Sequence, residues 1–334
     1  MKKWCLLVSI TSLPLLTTAF EGELGSQEEI KPWFTGPILA TSGNVVPIGH
    51  INFQPYIIAF ARTSFYDNHW NSQPIDTLWN LQFRTPGWIG LTQWADLKLS
   101  PVWSWNYRDG QAQWTLNDCS AQLSIQLYKD TLPYKNWLPS IKVCLRETFP
   151  TGKYQKLNPD KLGTDGGGMG TYATAVSINF SKILSFPGAQ FLNLRLNALY
   201  SFPTSLHVKG FNAYGGGAGT DGIVDPEKTV ILIFAFEYAF TRNWVIACDF
   251  QGLYSSKTHF RGKPGMVPRS DSDINPAGIP ARSENQAAIQ YSATPSIEYN
   301  WSENVGVLAG VWLTLGGKNS SHFTTGVITL NYYR

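Results

Sequence analysis

Between Val230 and Ser255 the chain reads VILIFAFEYAFTRNWVIACDFQGLYS, and the alternation in this stretch constrains the fold more than any other feature. With a period of two, Val230, Leu232, Phe234, Phe236, Tyr238 and Phe240 share one face, and Ile231, Ile233, Ala235, Glu237 and Ala239 share the other. A short Thr241-Arg242-Asn243 turn follows. Then Trp244, Ile246, Cys248, Phe250 and Tyr254 stand opposite Val245, Ala247, Asp249 and Gln251. Successive side chains of a strand point to opposite faces, so this is a β-hairpin with one continuous aliphatic and aromatic face. A soluble sandwich carries its charges on the outward face. Here the uniformly apolar face has none, and the acids sit among Ala, Gly and Gln on the other. Apolar toward lipid and polar toward a lumen is how a transmembrane β-barrel strand reads.

The N-terminus agrees. Met1-Lys2-Lys3 is a short basic region, Trp4 to Leu16 is mostly apolar, and Thr17-Thr18-Ala19 offers small residues for cleavage. Interrupted by Pro14, this stretch is too short for a membrane helix and reads as a secretory signal peptide over 1–19. Lys2 and Lys3 leave with it, and because 1–19 holds no acid the net charge falls from +3 to +1. That balance points to no nucleic-acid partner. Aromatics make up 14% of the chain and charged residues only 15%, against about 25% charged in soluble domains. Tyr and Trp in such quantity suit the interfacial girdles of a barrel, and they suit a carbohydrate-binding surface as well. Cys119 falls on the lipid face and Cys144 on the lumen face of neighbouring strands, so their Cβ atoms diverge and Cys119, Cys144 and Cys248 are expected as free thiols.

Residues 20–46 do not alternate. They carry Glu21, Glu23, Glu28 and Glu29, then Pro32, Trp33, Phe34 and Pro37, and they read as a periplasmic leader or a plug folded into the barrel of 47–334. In the plug reading Glu28 and Glu29 are available to meet Lys142, Arg146 or Arg195. Strands are expected near 50–66, 77–84, 89–107, 113–128, 137–148, 170–181, 189–201, 229–240, 243–255, 285–298, 303–314 and 322–333. The fold class is therefore all-β, a transmembrane antiparallel up-and-down barrel of about 12 strands. With both termini in the periplasm, the three longest connections, 149–169, 202–228 and 256–284, all fall on the outside. The turns at 85–88, 241–242 and 299–302 fall on the inside. Outer-membrane barrels sort their loops by length in this way, whereas a soluble meander has no reason to.

The polar faces give a candidate lumen lining: Asp96, Lys98 and Ser104; Asp118, Gln122 and Gln126; Lys142 and Arg146; Asn193, Arg195 and Asn197; Glu237; Asp249 and Gln251; Gln290, Ser292, Thr294 and Glu298. Acids and bases are mixed, so this set reads either as mutually paired charges solvating the interior or as a ladder for a permeating solute, with no strong preference for anions or cations. A charge at Phe234, on the lipid face, is expected to damage assembly more than one at Glu237. Nothing specifies catalysis. His50, His69, His207, His259 and His322 fall at strand ends or in loops without a convergent Ser and acid, and no G-x-S-x-G elbow occurs. Gly217, Gly219 and Gly222 satisfy G-x-G-x-x-G without a following helix. Asp271, Asp273 and Asn275 begin like a calcium loop, but Pro276 takes the place of the required Gly. No cofactor and no metal are expected.

From Asp118 to Lys182 the runs DCSAQLSIQLYKD, LPSIKVCLRETFPTGKY and KLGTDGGGMGTYATAVSINFSK resemble a family described as the outer-membrane component of the MetA pathway of phenol degradation. Its members are barrels distantly related to hydrocarbon and fatty-acid channels. The resemblance rests on Asp118 before an alternating strand, on Pro150-Thr151-Gly152, and on Leu162-Gly163-Thr164. It covers about 65 residues and implies an outer-membrane transport role without assigning catalytic or ligand residues. One departure is at the C-terminus, where such barrels end on an aromatic read by the assembly machinery, whereas Tyr332 and Tyr333 are followed by Arg334. The leading expectation is a passive outer-membrane channel of a Gram-negative bacterium for small molecules, including apolar or aromatic ones. Its partners would be membrane lipid, lipopolysaccharide, the assembly machinery and the solute. The alternatives are a structural or adhesive surface barrel displaying its loops and a secreted soluble glycan-binding β-protein.

Overall fold

The computed structural model describes residues 32–131, 137–186, 190–267, 279–280 and 285–334. The signal-peptide stretch, Glu21 to Glu29, and Asp271, Asp273 and Asn275 lie outside them. Twelve antiparallel strands make the wall. They are β1 (Ile51–Phe53 and Tyr56–Tyr66), β2 (Ser72–Arg84 and Gly87–Thr92), β3 (Ala95–Ser100 and Val102–Arg108), β4 (Gln111–Leu116 and Cys119–Tyr128), β5 (Ser140–Phe149) and β6 (Ala173–Phe186). Then come β7 (Gln190–Pro203), β8 (Thr229–Ala239), β9 (Trp244–Ser255), β10 (Ala288–Asn300), β11 (Val305–Lys318) and β12 (Ser320–Tyr333). Each pairs with its neighbours in sequence, and β12 also pairs with β1, Thr329 opposite Tyr56, which closes the barrel.

The side-chain period sorts the two faces. Phe234 stands beside Leu196 and Phe250 in one cross-strand row, exposed on the outer surface. Glu237, Asp249 and Ala235, one step out of phase, are fully buried. Trp244, Trp301 and Tyr332 are exposed at the short-turn end, and Tyr200, Tyr254 and Tyr291 at the other, as two aromatic girdles flanking an aliphatic belt. A soluble protein rarely exposes an apolar surface of that extent.

In one place the strand boundaries differ from the sequence reading. Pro86 does not mark a turn at 85–88. The chain continues through it to Thr92 and turns at Gln93 and Trp94. Pro55, Pro86 and Pro101 interrupt three adjacent strands at one level, where Leu330 donates to Pro55 O (3.2 Å), Gln54 to Pro86 O (3.1 Å) and Thr85 to Pro101 O (3.2 Å). A proline has no N–H to give a ladder but its carbonyl still accepts. The wall therefore kinks without opening, and the alternation breaks where no turn exists.

The described residues of the three long connections, within 150–172, 204–228 and 256–287, lie together at one end. Short strands Leu206–Lys209, Asp221–Asp225 and His259–Lys263 extend β7, β8 and β9 beyond the wall in unbroken register and bury Val208, Tyr214 and Val224. The connection after β5 is fastened to β4. Asp118 accepts from Gly152 N (2.9 Å) and Met169 N (2.7 Å). Gly168 is required there, because a Cβ would stand 2.2 Å from Asp118 Oδ1.

Candidate functional site: the lumen and the segment crossing it

Residues 33–46 run along the inside of the wall. Their backbone amides bond in chain order to side chains on β10, β9, β7, β6, β4 and β3, which is the order of the strands around the barrel. Thr35 N donates to Glu298, and Leu39 N and Ala40 N to Asp249 (3.3 and 2.9 Å). Thr41 N donates to Asn197 (2.7 Å), Gly43 N to Ser181 (2.6 Å), Val45 N to Gln126 (2.8 Å) and Val46 N to Asp96 (2.9 Å). Asn197 Nδ2 and Gln126 Nε2 return bonds to Thr41 O (3.0 Å) and Gly43 O (2.7 Å), so their amides clasp the segment as a β-ladder would. A hydrogen bond to a charged group contributes about 1.5–3 kcal/mol net, and carboxylates receive four of these amides.

Two apolar side chains pin the segment. Ile38 packs with Ile58, Leu308 and Val327 on β1, β11 and β12, and Phe34 packs against Phe191, Ala239 and Val245. The sequence reading missed this apolar sector of the lumen. The signal for it was glycine within a strand, which marks close approach of another chain. On β11, a Cβ at Gly310 would stand 2.7 Å from Ile38 Cδ1, and one at Gly306 would collide with Thr35.

Behind the segment, Arg195 bridges to Glu237 (2.8 Å) with Asn193 on the same oxygen (2.7 Å), and Arg195 Nη1 reaches Ala40 O (3.3 Å). The cross-strand row Arg195–Ala235–Asp249 explains the small residue, since Ala235 leaves room for the guanidinium to lie across β8. Lys142 Nζ donates to Asn44 O (2.8 Å). Lys98 lies over the Trp88 ring, 4.5 Å from its centroid.

Of the remaining sequence candidates, Gln122 donates to Ser124 (3.2 Å) and stands opposite both Lys98 and Arg146. Gln290 donates to Ser321 O (2.7 Å) near the loop end, and Gln251 is buried on β9. Asp118 lies apart from the lumen set, in the break of β4, where it holds the loop. The residues quoted for the family resemblance, Asp118 and Gly152, thus meet in one latch. Cys119, Cys144 and Cys248 are unbridged. His207 pairs with Asp221 (2.8 Å) in the loop sheet, and His50 stacks on Tyr333 (5.2 Å between centroids).

Beside the segment, toward the short-turn end, a cavity of about 470 Å³ remains, bordered by the segment itself and by side chains of β1, β2, β3, β5, β7 and β12. The lumen is thus narrowed by its own chain and still holds open volume.

No protein-family model matches the chain, and no curated protein matches it by sequence. Among solved structures it is similar to a COG4313 outer membrane channel from Pseudomonas putida F1, with a TM-score of 0.65, at 9% identity over 89% of this chain and 100% of that one. The β domain of the Bordetella autotransporter BrkA aligns with a TM-score of 0.45, at 9% identity over 84% and 98%. The NanC porin aligns with a TM-score of 0.41, at 7% identity over 83% and 98%. At such identities the first likeness establishes the fold, that of an outer-membrane β-barrel.

Proposed function

We propose that this protein is a passive outer-membrane channel for small molecules and that residues 32–46 restrict its pore. The observation that carries this reading is the amide-by-amide attachment of 33–46 to side chains inside a twelve-stranded wall, beside a cavity of about 470 Å³. Side chains alone fill a barrel of about eight strands, and a wider one leaves space for a plug or a channel. Apolar and aromatic solutes suit the lumen, since Tyr56, Ile58, Trp88 and Tyr333 border the cavity. On this reading the outer belt contacts lipid and lipopolysaccharide, and the assembly machinery reads the last strand at Tyr332. The protein has no catalytic role in this reading, and the similar P. putida protein, itself named a channel, favours the same class.

The test is single-channel conductance in a planar bilayer, comparing the parent protein with a variant lacking 22–44. Conductance is expected to rise several-fold in the variant. Equal conductance, with the variant folded, removes the restricting role of the segment. An absence of current in both removes the channel. The second reading, a barrel that displays its loops, is favoured by one observation: the loop sheet has its own core of Val208, Tyr214 and Val224.

A further inference from the structure

Four bases border the cavity beside the segment, Arg84, Lys98, Lys142 and Arg195, with Asp96 and Glu303 as its acids. Arg195 is committed to Glu237. Asp96 gives one oxygen to Val46 N, and its other oxygen is buried without a partner. Glu303 is exposed at the short-turn end. The other three bases enter none of the ion pairs found among the described residues. Arg84 reaches only the neutral Gln82 Oε1, at 3.1 and 2.9 Å. Lys142, 2% exposed, has the Asn44 carbonyl, and Lys98 has the face of Trp88.

Gathering cations in a half-enclosed site costs desolvation and mutual repulsion, and proteins ordinarily offset both with counter-charges. Here the one buried acid bordering the cavity is Asp96, with an oxygen already given to the crossing segment, so the bases outnumber it, and the other buried acids of the lumen, Glu237, Asp249 and Glu298, are on the opposite wall. The charge lacking from the cavity is negative. Its walls add flat apolar surface from Trp88 and Tyr56, and its volume lies in the range of small-ligand sites, about 300–1,000 Å³. The fork of an arginine matches a carboxylate with two parallel hydrogen bonds.

We propose that this cavity binds small organic carboxylates with an apolar body, Arg84 and Lys98 contacting the carboxylate and Trp88 and Tyr56 the body. The proposal names the solute class of the channel inferred above. It rests on that reading for transport only, because binding can be measured without it.

The experiment uses the full-length protein in detergent and isothermal titration calorimetry with benzoate, octanoate, benzyl alcohol and inorganic phosphate. Benzoate or octanoate is expected to bind, the tighter of the two identifying the body as aromatic or aliphatic. Benzyl alcohol, which keeps the ring and loses the charge, is expected to bind about tenfold or more weakly, as is phosphate, which has charge and no apolar body. Arg84→Gln with Lys98→Gln, folded as judged by unheated gel mobility, is expected to lose about tenfold or more in carboxylate affinity. Equal affinity for benzoate and benzyl alcohol overturns the proposal. So do phosphate binding as tight as benzoate, unchanged affinity in the double variant, and absence of binding by both acids. If the double variant does not fold, the contrast among the four probes on the parent protein decides alone. Planar-bilayer current separates the two readings. Carboxylate binding without any current leaves the site and removes the channel, whereas current without carboxylate binding does the reverse.

Discussion

On β8, β9 and β10 the lumen holds Glu237, Asp249 and Glu298, none with exposed surface. On β2, β3 and β5 it holds Arg84, Lys98 and Lys142, with Asp96 as the buried acid among them. The acids and Lys142 are buried, Arg84 and Lys98 are half-buried, and the two walls differ in where the partners come from. The acids are met within the chain, by Arg195, by Asn193 and Asn300, and by the amides of Thr35, Leu39 and Ala40, although one oxygen each of Glu237 and Glu298 is buried without a partner. The bases have neutral oxygens and one aromatic ring. The crossing segment explains the asymmetry. Residues 33–46 contain no charged side chain, so the segment offers mainly backbone donors, and donors suit carboxylates. The segment's backbone thus bonds to the acidic wall, and on the basic wall it reaches Lys142 only through the Asn44 carbonyl.

The largest expected effect tests the acidic wall. Glu237→Ala would strand Arg195 in the interior, and breaking a buried pair from one side costs about 3–5 kcal/mol, read as a lower urea midpoint of the folded barrel. A loss no greater than that of Lys98→Gln would break the contrast between the walls. Phe234→Arg places a charge on the lipid-facing belt and should cost about 2–4 kcal/mol in the same assay. Glu237→Arg sharpens the point. The sequence suggests that a lumen position tolerates it, but the structure sets the new cation against Arg195, so its loss should equal or exceed that of Phe234→Arg. Behaviour like the parent would mean that water, and not the ion pair, surrounds position 237.

Smaller effects follow. Asp249→Asn keeps an oxygen for Leu39 N or Ala40 N and loses charge assistance, about 1 kcal/mol, which should appear as faster proteolysis within 33–46 and noisier current. Lys98→Gln should leave stability unchanged or raise it, since it removes repulsion without orphaning an acid. A clear loss would show that Lys98 has a partner in the folded protein. The smallest effect lies outside both walls. Asp165 in the 150–172 loop is disfavoured as an anion by burial, yet Lys153 at 2.5 Å and Asn158 N at 3.1 Å outweigh this and hold its carboxyl below the usual range. Its folded pKa is depressed, so its contribution is present above the ordinary carboxylate range and lost as pH falls through the lowered value. Hydrogen-exchange protection of 150–172, followed from about pH 5 to about pH 2, should fall in that loop first, and Asp165→Asn should weaken the pH dependence of that protection.

The alternation of Val230 to Ser255 determined the strand, its two faces and the hairpin, because the period of two is a property of the extended backbone and needs no partner. Loop length by parity determined that the long connections share one end, since antiparallel neighbours must turn at alternate ends. Pro55 and Pro86 show where such reading stops. A proline interrupts the pattern whether the chain turns or merely kinks, and only neighbours whose N–H groups use the proline carbonyls distinguish the two. The crossing segment lay further out of reach. WFTGPILATSGNVV has no period, because its hydrogen bonds go to side chains spread over six strands of the wall rather than to one partner strand. The charges of the lumen were legible one residue at a time as a mixed set. Their separation into an acidic wall bonded to the crossing segment and a wall where three bases share the one buried acid Asp96 was decided by tertiary structure, since which charge meets which depends on the closure of the barrel and the path of residues 33–46 through it.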